Sequence, residues 1–179
     1  MSKTIQVRDK RFAVSISEAE IREEVKRVAS EISRDYAGQN PIFLAVLNGA
    51  FIFAADLLRE VTLPCEISFV RLASYQGVAT TGEIREIMGL STDITNRPVI
   101  IVEDIVDTGL TMAHMLETLK SHNPSSIGIC TLLLKPGKLQ VNLDVRYCCK
   151  RIPDDFVVGY GLDYDGFGRN TKEIYTLCK

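Results

Sequence analysis

The amino-acid sequence predicts an α/β protein with a parallel sheet at its core and helices flanking it. Two observations carry the prediction. Apolar runs at 41–47 and 98–102 are nearly continuous, as in strands buried on both faces, and such runs recur in the order strand, turn, helix, strand.

Each element follows from local pattern. Ser17 and Glu20 form a capping box, and Ile21, Val25, Val28 and Ile32 follow at helical spacing, giving an amphipathic helix that ends before Gly38. The run PIFLAVL at 41–47 stops at Asn48-Gly49, a turn signal, and AFIFAADLL then reads as a second helix. Strands are expected at 65–72, 98–102 and 126–134, with a helix over 110–121 between the last two, and shorter strands at 156–160 and 173–177. The segment SYQGVATTGEIREIMG at 74–89 lacks a sustained apolar face. Long loops inside compact domains commonly carry function, so a mobile lid is expected there, against the alternative of an exposed hairpin.

Bulk properties narrow the class. At 179 residues the chain suits one domain with a sizeable core, so 1–179 is expected to be a single domain. A composition 46% hydrophobic and 25% charged is that of a soluble globular protein, and no apolar segment is long enough to span a bilayer. The start MSKTIQVRDKRF has no apolar secretory core, which favours the cytoplasm. Five cysteines without metal-ligand spacing read as reduced, mostly buried thiols. With a net charge of −2 there is no basic field to recruit nucleic acid.

The stretch VIIVEDIVDTGLTM at 99–112 carries the chemistry. Glu103 and Asp104 emerge at the carboxyl end of a buried strand, where open α/β sheets place ligands, and strand alternation directs the two carboxylates apart. Asp107, Thr108, Gly109, Leu110 and Thr111 span the turn into a helix, whose free N–H groups and dipole favour an anion. Carboxylates repel phosphate, so the acids must address another part of the same ligand. A sugar phosphate satisfies both, its hydroxyls wanting acceptors and its phosphate wanting donors. The G-K-[ST] element of a Walker loop and the G-x-G-x-x-G dinucleotide turn are both absent.

VIIVEDIVDTGLTM resembles the phosphoribosyl pyrophosphate signature of type I phosphoribosyltransferases. Four further stretches resemble the hypoxanthine-guanine phosphoribosyltransferases within that group: VLNGAFIFAADLL its pyrophosphate loop and helix, VRLASYQG the start of its lid, and LLLKPGK and IPDDFVVGYGLDYDGFGRN its purine pocket and second pyrophosphate site. Together they run from about Pro41 to Asn170 in the family's order. The resemblance implies the type I phosphoribosyltransferase fold, with a small hood formed by the terminal segments and a flexible lid at about 72–89. It implies purine salvage, in which phosphoribosyl pyrophosphate and magnesium (Mg²⁺) react with hypoxanthine or guanine to give IMP or GMP and pyrophosphate.

Roles carry over residue by residue. Glu103 and Asp104 would accept from the ribose 2′- and 3′-hydroxyls, and Asp107 to Thr111 would cradle the 5′-phosphate. Asp107 would also manage the proton at purine N7. Lys135 would donate to the 6-oxo group, Phe156 would stack on the base, and Val157 would meet its edge through backbone groups. Without that context Lys135 is a surface lysine, and Phe156 reads as ordinary core. Asp163 would help hold Mg²⁺, Arg169 and the Asn48-Gly49 turn would contact pyrophosphate, and Ser74 and Tyr75 would close the lid. Neither His114 nor His122 is assigned a role. Many relatives have Lys or Arg where this chain has Asn48, and the preceding peptide is often cis, making Leu47-Asn48 a candidate cis bond. The family implies a homodimer or homotetramer. Two alternatives stay open: a xanthine-preferring transferase, and a phosphoribosyl-pyrophosphate-sensing regulator that binds RNA.

Overall fold

In the computed structural model of the chain, which describes residues 3–74 and 84–178 except the side chains of 73–74 and 84–88, the apolar runs pair into a six-stranded sheet. Among the described residues, ten strands and three α-helices follow the order β1 (Thr4–Val7), β2 (Lys10–Ile16), α1 (Glu18–Asp35), β3 (Ile42–Leu47), α2 (Phe51–Glu60), β4 (Glu66–Ser74), β5 (Ile84–Met88), β6 (Pro98–Val106), α3 (Leu110–Lys120), β7 (Ser126–Leu134), β8 (Tyr147–Arg151), β9 (Val157–Val158) and β10 (Ile174–Leu177). The large sheet has the order β5-β4-β3-β6-β7-β8, parallel throughout except for the antiparallel edge strand β5.

Strand alternation assigns the helices to faces. Phe43 and Ala45 point to the side covered by α1 and α2, where Val25, Val28, Ile32, Phe53 and Leu57 join them in one core. Ile42, Leu44 and Ile101 point to the other side, against Met112, Met115 and Leu119 of α3. Each such side chain contributes roughly 1.5–3 kcal/mol through burial. The capping box forms as expected: Ser17 N–H donates to Glu20 Oε2 at 2.9 Å, and Glu20 N–H donates to Ser17 Oγ at 3.3 Å.

The sequence reading left three things out. First, β6 runs on to Val106 rather than stopping at 102, because Glu103 and Ile105 stay in register with Thr131 and Leu133 of β7. Second, a four-stranded antiparallel sheet, β1-β2-β10-β9, joins both ends of the chain around Phe12, Val158 and Tyr175. Its first two strands are largely exposed or half-buried, and polar residues interrupt their apolar ones, so they gave no continuous apolar signal. Third, β4 extends past 72 to Ser74, where it pairs antiparallel with β5, a strand at 84–88 inside the segment read as lid or exposed hairpin. Tyr75 and the rest of the expected lid, through residue 83, lie outside the described residues.

All five cysteines are free; Cys130 and Cys149 are buried, Cys65 and Cys148 half-buried, and Cys178 exposed. Among the described residues no helix is long and apolar enough to cross a membrane.

Candidate active site

Because β3, β6 and β7 are parallel, their carboxyl ends lie on one edge, and three loops meet there: 48–50, 107–109 and 135–138. The Leu47-Asn48 peptide is cis. The following Gly49 packs directly on Asp104, and a Cβ added at Gly49 would overlap that carboxylate. Only glycine fits there, which brings the first loop's backbone against the acid pair.

Glu103 and Asp104 do not splay apart as strand alternation suggests. Glu103 is buried, and its carboxylate folds back to accept from the Asp104 N–H at 3.2 Å, while Asp104 Oδ1 accepts from the Ile105 N–H at 2.8 Å. Burial, reinforced by the Asp104 charge and a hydrogen bond between the two side chains, pushes the Glu103 pKa well above the usual carboxylate range. The extra methylene of glutamate provides the reach that alternation of Cβ directions alone leaves out.

At Asp107 the structure assembles a four-charge cluster. Lys135 N–H continues the β6–β7 ladder by donating to the Val106 carbonyl at 3.0 Å, which sets its side chain beside Asp107. Its buried ammonium donates to Asp107 Oδ2 at 3.2 Å and to Asp154 Oδ1 at 3.1 Å. Lys138 lies 3.2 Å from Asp107 Oδ1 and 3.1 Å from Asp154 Oδ1. Asp107 Oδ1 is buried and makes no hydrogen bond despite that ion pair. Lys135 and then Lys138 hold the Asp154 pKa down, while Asp154 and then Asp107 hold that of Lys138 up.

Sequence reasoning missed Lys138 and Asp154. The 3-10 turn Pro136–Lys138 returns Lys138 to the side of Lys135, three residues on. Two lysines three apart across Pro-Gly are the only trace of this in the sequence. Asp154 carries no signal, because it reaches the cluster from beyond β8.

Gly109, at φ +80°, caps α3 from the left-handed region, and no side chain caps the helix. Apart from the Leu110 N–H, the first-turn N–H groups of this helix have no side-chain cap and can meet a ligand. A Cβ at Gly109 would lie 2.7 Å from Leu143 and 2.9 Å from Val141. Thr108 Oγ1 accepts from the Leu110 N–H at 3.4 Å, while Leu110 and Thr111 are exposed.

Phe156 is 44% exposed, which excludes the ordinary-core reading. Its ring meets Tyr164 edge-on at 5.7 Å and Phe12 at 6.0 Å, leaving a side open. Val157 begins β9, its side chain buried and its backbone paired with Thr176. Asp163 Oδ2 accepts from the Gly166 N–H at 2.6 Å, and Asp163 Oδ1 lies 2.7 Å from Arg169. Arg169 also donates to the Gly161 carbonyl at 2.6 Å. Ser74 ends β4. A cavity of about 880 Å³, lined by Tyr36, Lys120, Asp144 and Arg146, lies at the amino ends of the strands, away from this site. The charged groups Asp107, Lys135, Lys138 and Asp154 converge instead on the loop cluster at the carboxyl edge.

The family model of the phosphoribosyl transferase domain matches residues 17–165. The chain is 39% identical over 165 residues to a hypoxanthine-guanine phosphoribosyltransferase of Streptococcus mutans, covering 92% of each. A crystal structure of a hypoxanthine-guanine phosphoribosyltransferase from Bacillus anthracis, with HEPES in its active site, superposes with a TM-score of 0.87 at 38% identity, covering 93% of this chain and 96% of that one. Hypoxanthine phosphoribosyltransferase from Trypanosoma cruzi, in complex with the product IMP, gives 0.88 at 33% identity, covering 97% of each.

Proposed function

The chain belongs to the phosphoribosyl transferase domain family, and from that premise we propose that it transfers the 5-phosphoribosyl group of phosphoribosyl pyrophosphate to N9 of hypoxanthine or guanine. The products are IMP or GMP and pyrophosphate, and the role is purine salvage. The observation that carries the base assignment is the Lys135–Asp107 pair. A buried ammonium lies 3.2 Å from a carboxylate whose second oxygen is buried without a hydrogen bond. Donor and acceptor side by side match the adjacent 6-oxo group and N7–H of a 6-oxopurine. Adenine would set its 6-amino donor against Lys135.

The chemistry follows from that placement. Phe156 stacks on the base and Val157 meets its edge. As N9 forms its bond to the ribose carbon, the bond from that carbon to pyrophosphate breaks with its electron pair leaving on oxygen. The N7 proton passes to Asp107, which Lys135 and Lys138 flank at 3.2 Å each. Thr108, Gly109, Leu110 and Thr111 hold the 5′-phosphate, while Glu103 and Asp104 accept from the ribose hydroxyls. Asn48 and Gly49 on one side and Arg169 on the other meet pyrophosphate. Lacking a charge at Asn48, this chain places the positive contribution on Arg169.

Magnesium fits Asp163. Each of its oxygens retains a free lone pair beside the contacts to Gly166 and Arg169, and a hard cation bound to substrate phosphates needs only one or two carboxylates. Asp163 would hold the cation together with oxygens of the substrate phosphates and water. The cation supplies charge neutralisation for the leaving group.

The same reading takes 1–179 as a single domain with the terminal sheet as hood and 72–89, with Ser74 and Tyr75, as lid. It includes a cytoplasmic location, supported by the free cysteines. It also includes a homodimer or homotetramer, supported by Phe51, Ile67 and Phe69, which are 45%, 39% and 38% exposed. The test is a panel of initial rates with hypoxanthine, guanine, xanthine and adenine, in the presence of Mg²⁺ and phosphoribosyl pyrophosphate. Hypoxanthine and guanine are expected to react; adenine use without 6-oxopurine activity would sink the pocket assignment.

A further inference from the structure

Pyrophosphate, on this reading, is held between two segments distant in sequence, the 48–49 loop and the stretch 163–169, and something must set their separation. Three consecutive residues between β9 and that stretch adopt positive φ: Gly159 at 104°, Tyr160 at 50° and Gly161 at 103°. Glycine takes such angles freely, whereas a tyrosine there is strained and persists only where its surroundings over-determine it. They do so here. Tyr160 is buried, its N–H donates to the Thr171 carbonyl at 3.2 Å, and its phenol donates to Asp56 Oδ2 at 2.6 Å.

Both ends of that phenol contact lead to the pyrophosphate groups. Asp56 lies in α2, the helix that starts directly after the 48–50 turn, and the Phe51 N–H donates back to the Asn48 carbonyl at 3.4 Å. Gly161, the residue after Tyr160, rests on Gly49 so closely that a Cβ would overlap the Gly49 carbonyl oxygen. The Gly161 carbonyl in turn accepts from Arg169 at 2.6 Å, and the Gly161 N–H donates to the Arg169 carbonyl at 2.9 Å. Gly161 is therefore wedged between the loop and the arginine, and the neighbouring phenol ties it to the helix that carries the loop.

We propose that Tyr160 is a positioning residue for pyrophosphate recognition: anchored on Asp56, it seats Gly161 against Gly49 and so fixes the spacing of the 48–49 loop and Arg169. This rests on the transferase reading of the site. Burial, together with the Asp56 carboxylate, pushes the phenol pKa up, so it stays a donor at neutral pH.

The test is isothermal titration in Mg²⁺ buffer of pyrophosphate, phosphoribosyl pyrophosphate and IMP into the wild type, Tyr160→Phe, Asp56→Ala and Asp56→Asn. Losing one such hydrogen bond should weaken pyrophosphate and phosphoribosyl pyrophosphate about five- to tenfold. IMP, which has no pyrophosphate, should bind within twofold of wild type. Asp56→Asn, which keeps an acceptor, should restore most of the affinity lost in Asp56→Ala, and Tyr160→Phe combined with Asp56→Ala should lose no more than either alone. Unchanged pyrophosphate binding in Tyr160→Phe, or equal weakening of IMP, overturns the proposal; if Tyr160→Phe does not fold, the half-exposed Asp56 variants decide on the same criteria. A wild type that binds IMP but neither pyrophosphate nor phosphoribosyl pyrophosphate refutes the transferase reading, and the inference with it.

Discussion

Replacing Lys135 by methionine removes an ammonium while keeping a side chain of similar length. The folded state should tolerate it. Asp107 and Asp154 have side chains 38% and 60% exposed, so both stay hydrated, and Lys138 remains 3.2 Å from one and 3.1 Å from the other. Lys135 itself is 7% exposed, so methionine also avoids the desolvation of a buried charge. The stability change is expected to stay below about 1 kcal/mol, since partly exposed pairs are weak. Activity should suffer more. A charge-assisted hydrogen bond to the 6-oxo group contributes about 1.5–3 kcal/mol, so kcat/KM for hypoxanthine should fall roughly 10- to 150-fold. Phosphoribosyl pyrophosphate has no contact with Lys135 in this scheme, and its KM should hold. Steady-state rates with each substrate varied in turn, beside a thermal melt, give the answer. Unchanged kcat/KM for hypoxanthine, or a loss carried by the KM of phosphoribosyl pyrophosphate, would refute the placement of Lys135 on the base.

Asp107→Asn should fold and bind phosphoribosyl pyrophosphate but lose about 10²- to 10⁴-fold in turnover, as removal of a general base does; wild-type turnover would remove its proton-transfer role. Gly109→Ala should destabilise by about 2–5 kcal/mol, combining roughly 1–2 for a left-handed alanine with about 1–3 for crowding against Leu143 and Val141. A denaturant midpoint equal to wild type would contradict that packing. Glu20→Gln tests the first helix cap: Lys150, then the Ser17 N–H and hydroxyl, lower the Glu20 pKa to about 2. A depressed folded-state pKa stabilises above the unfolded value and ceases to do so as pH falls through the folded one. The variant should therefore melt lower than wild type at pH 7, and the two curves should converge near pH 2; a constant gap would assign the loss to something other than this charge.

The 99–112 stretch shows how much of the site was legible. An apolar run closed by Glu103-Asp104 and followed by Asp107-Thr108-Gly109 announces a ligand edge, because burial on both faces dictates the run and a left-handed cap dictates the glycine. Glu103 shows where pattern fails. Alternation assigns Cβ directions, but the fold of its longer side chain onto the Asp104 N–H depends on the burial around it.

By itself the sequence determined the parallel core, the order of its helices and the anion-favouring turn at 107–111, since each is written in local periodicity and turn chemistry, whereas the purine pocket was legible only through resemblance to the family. Only the tertiary structure decided which distant residues meet. Asp154 joins Lys135 and Lys138 around Asp107, the two chain ends close a second sheet, and Gly161 presses on Gly49 beneath a phenol held by Asp56. These contacts join segments up to about the whole chain apart, and their geometry is set by how the sheets and helices pack rather than by any neighbouring residue.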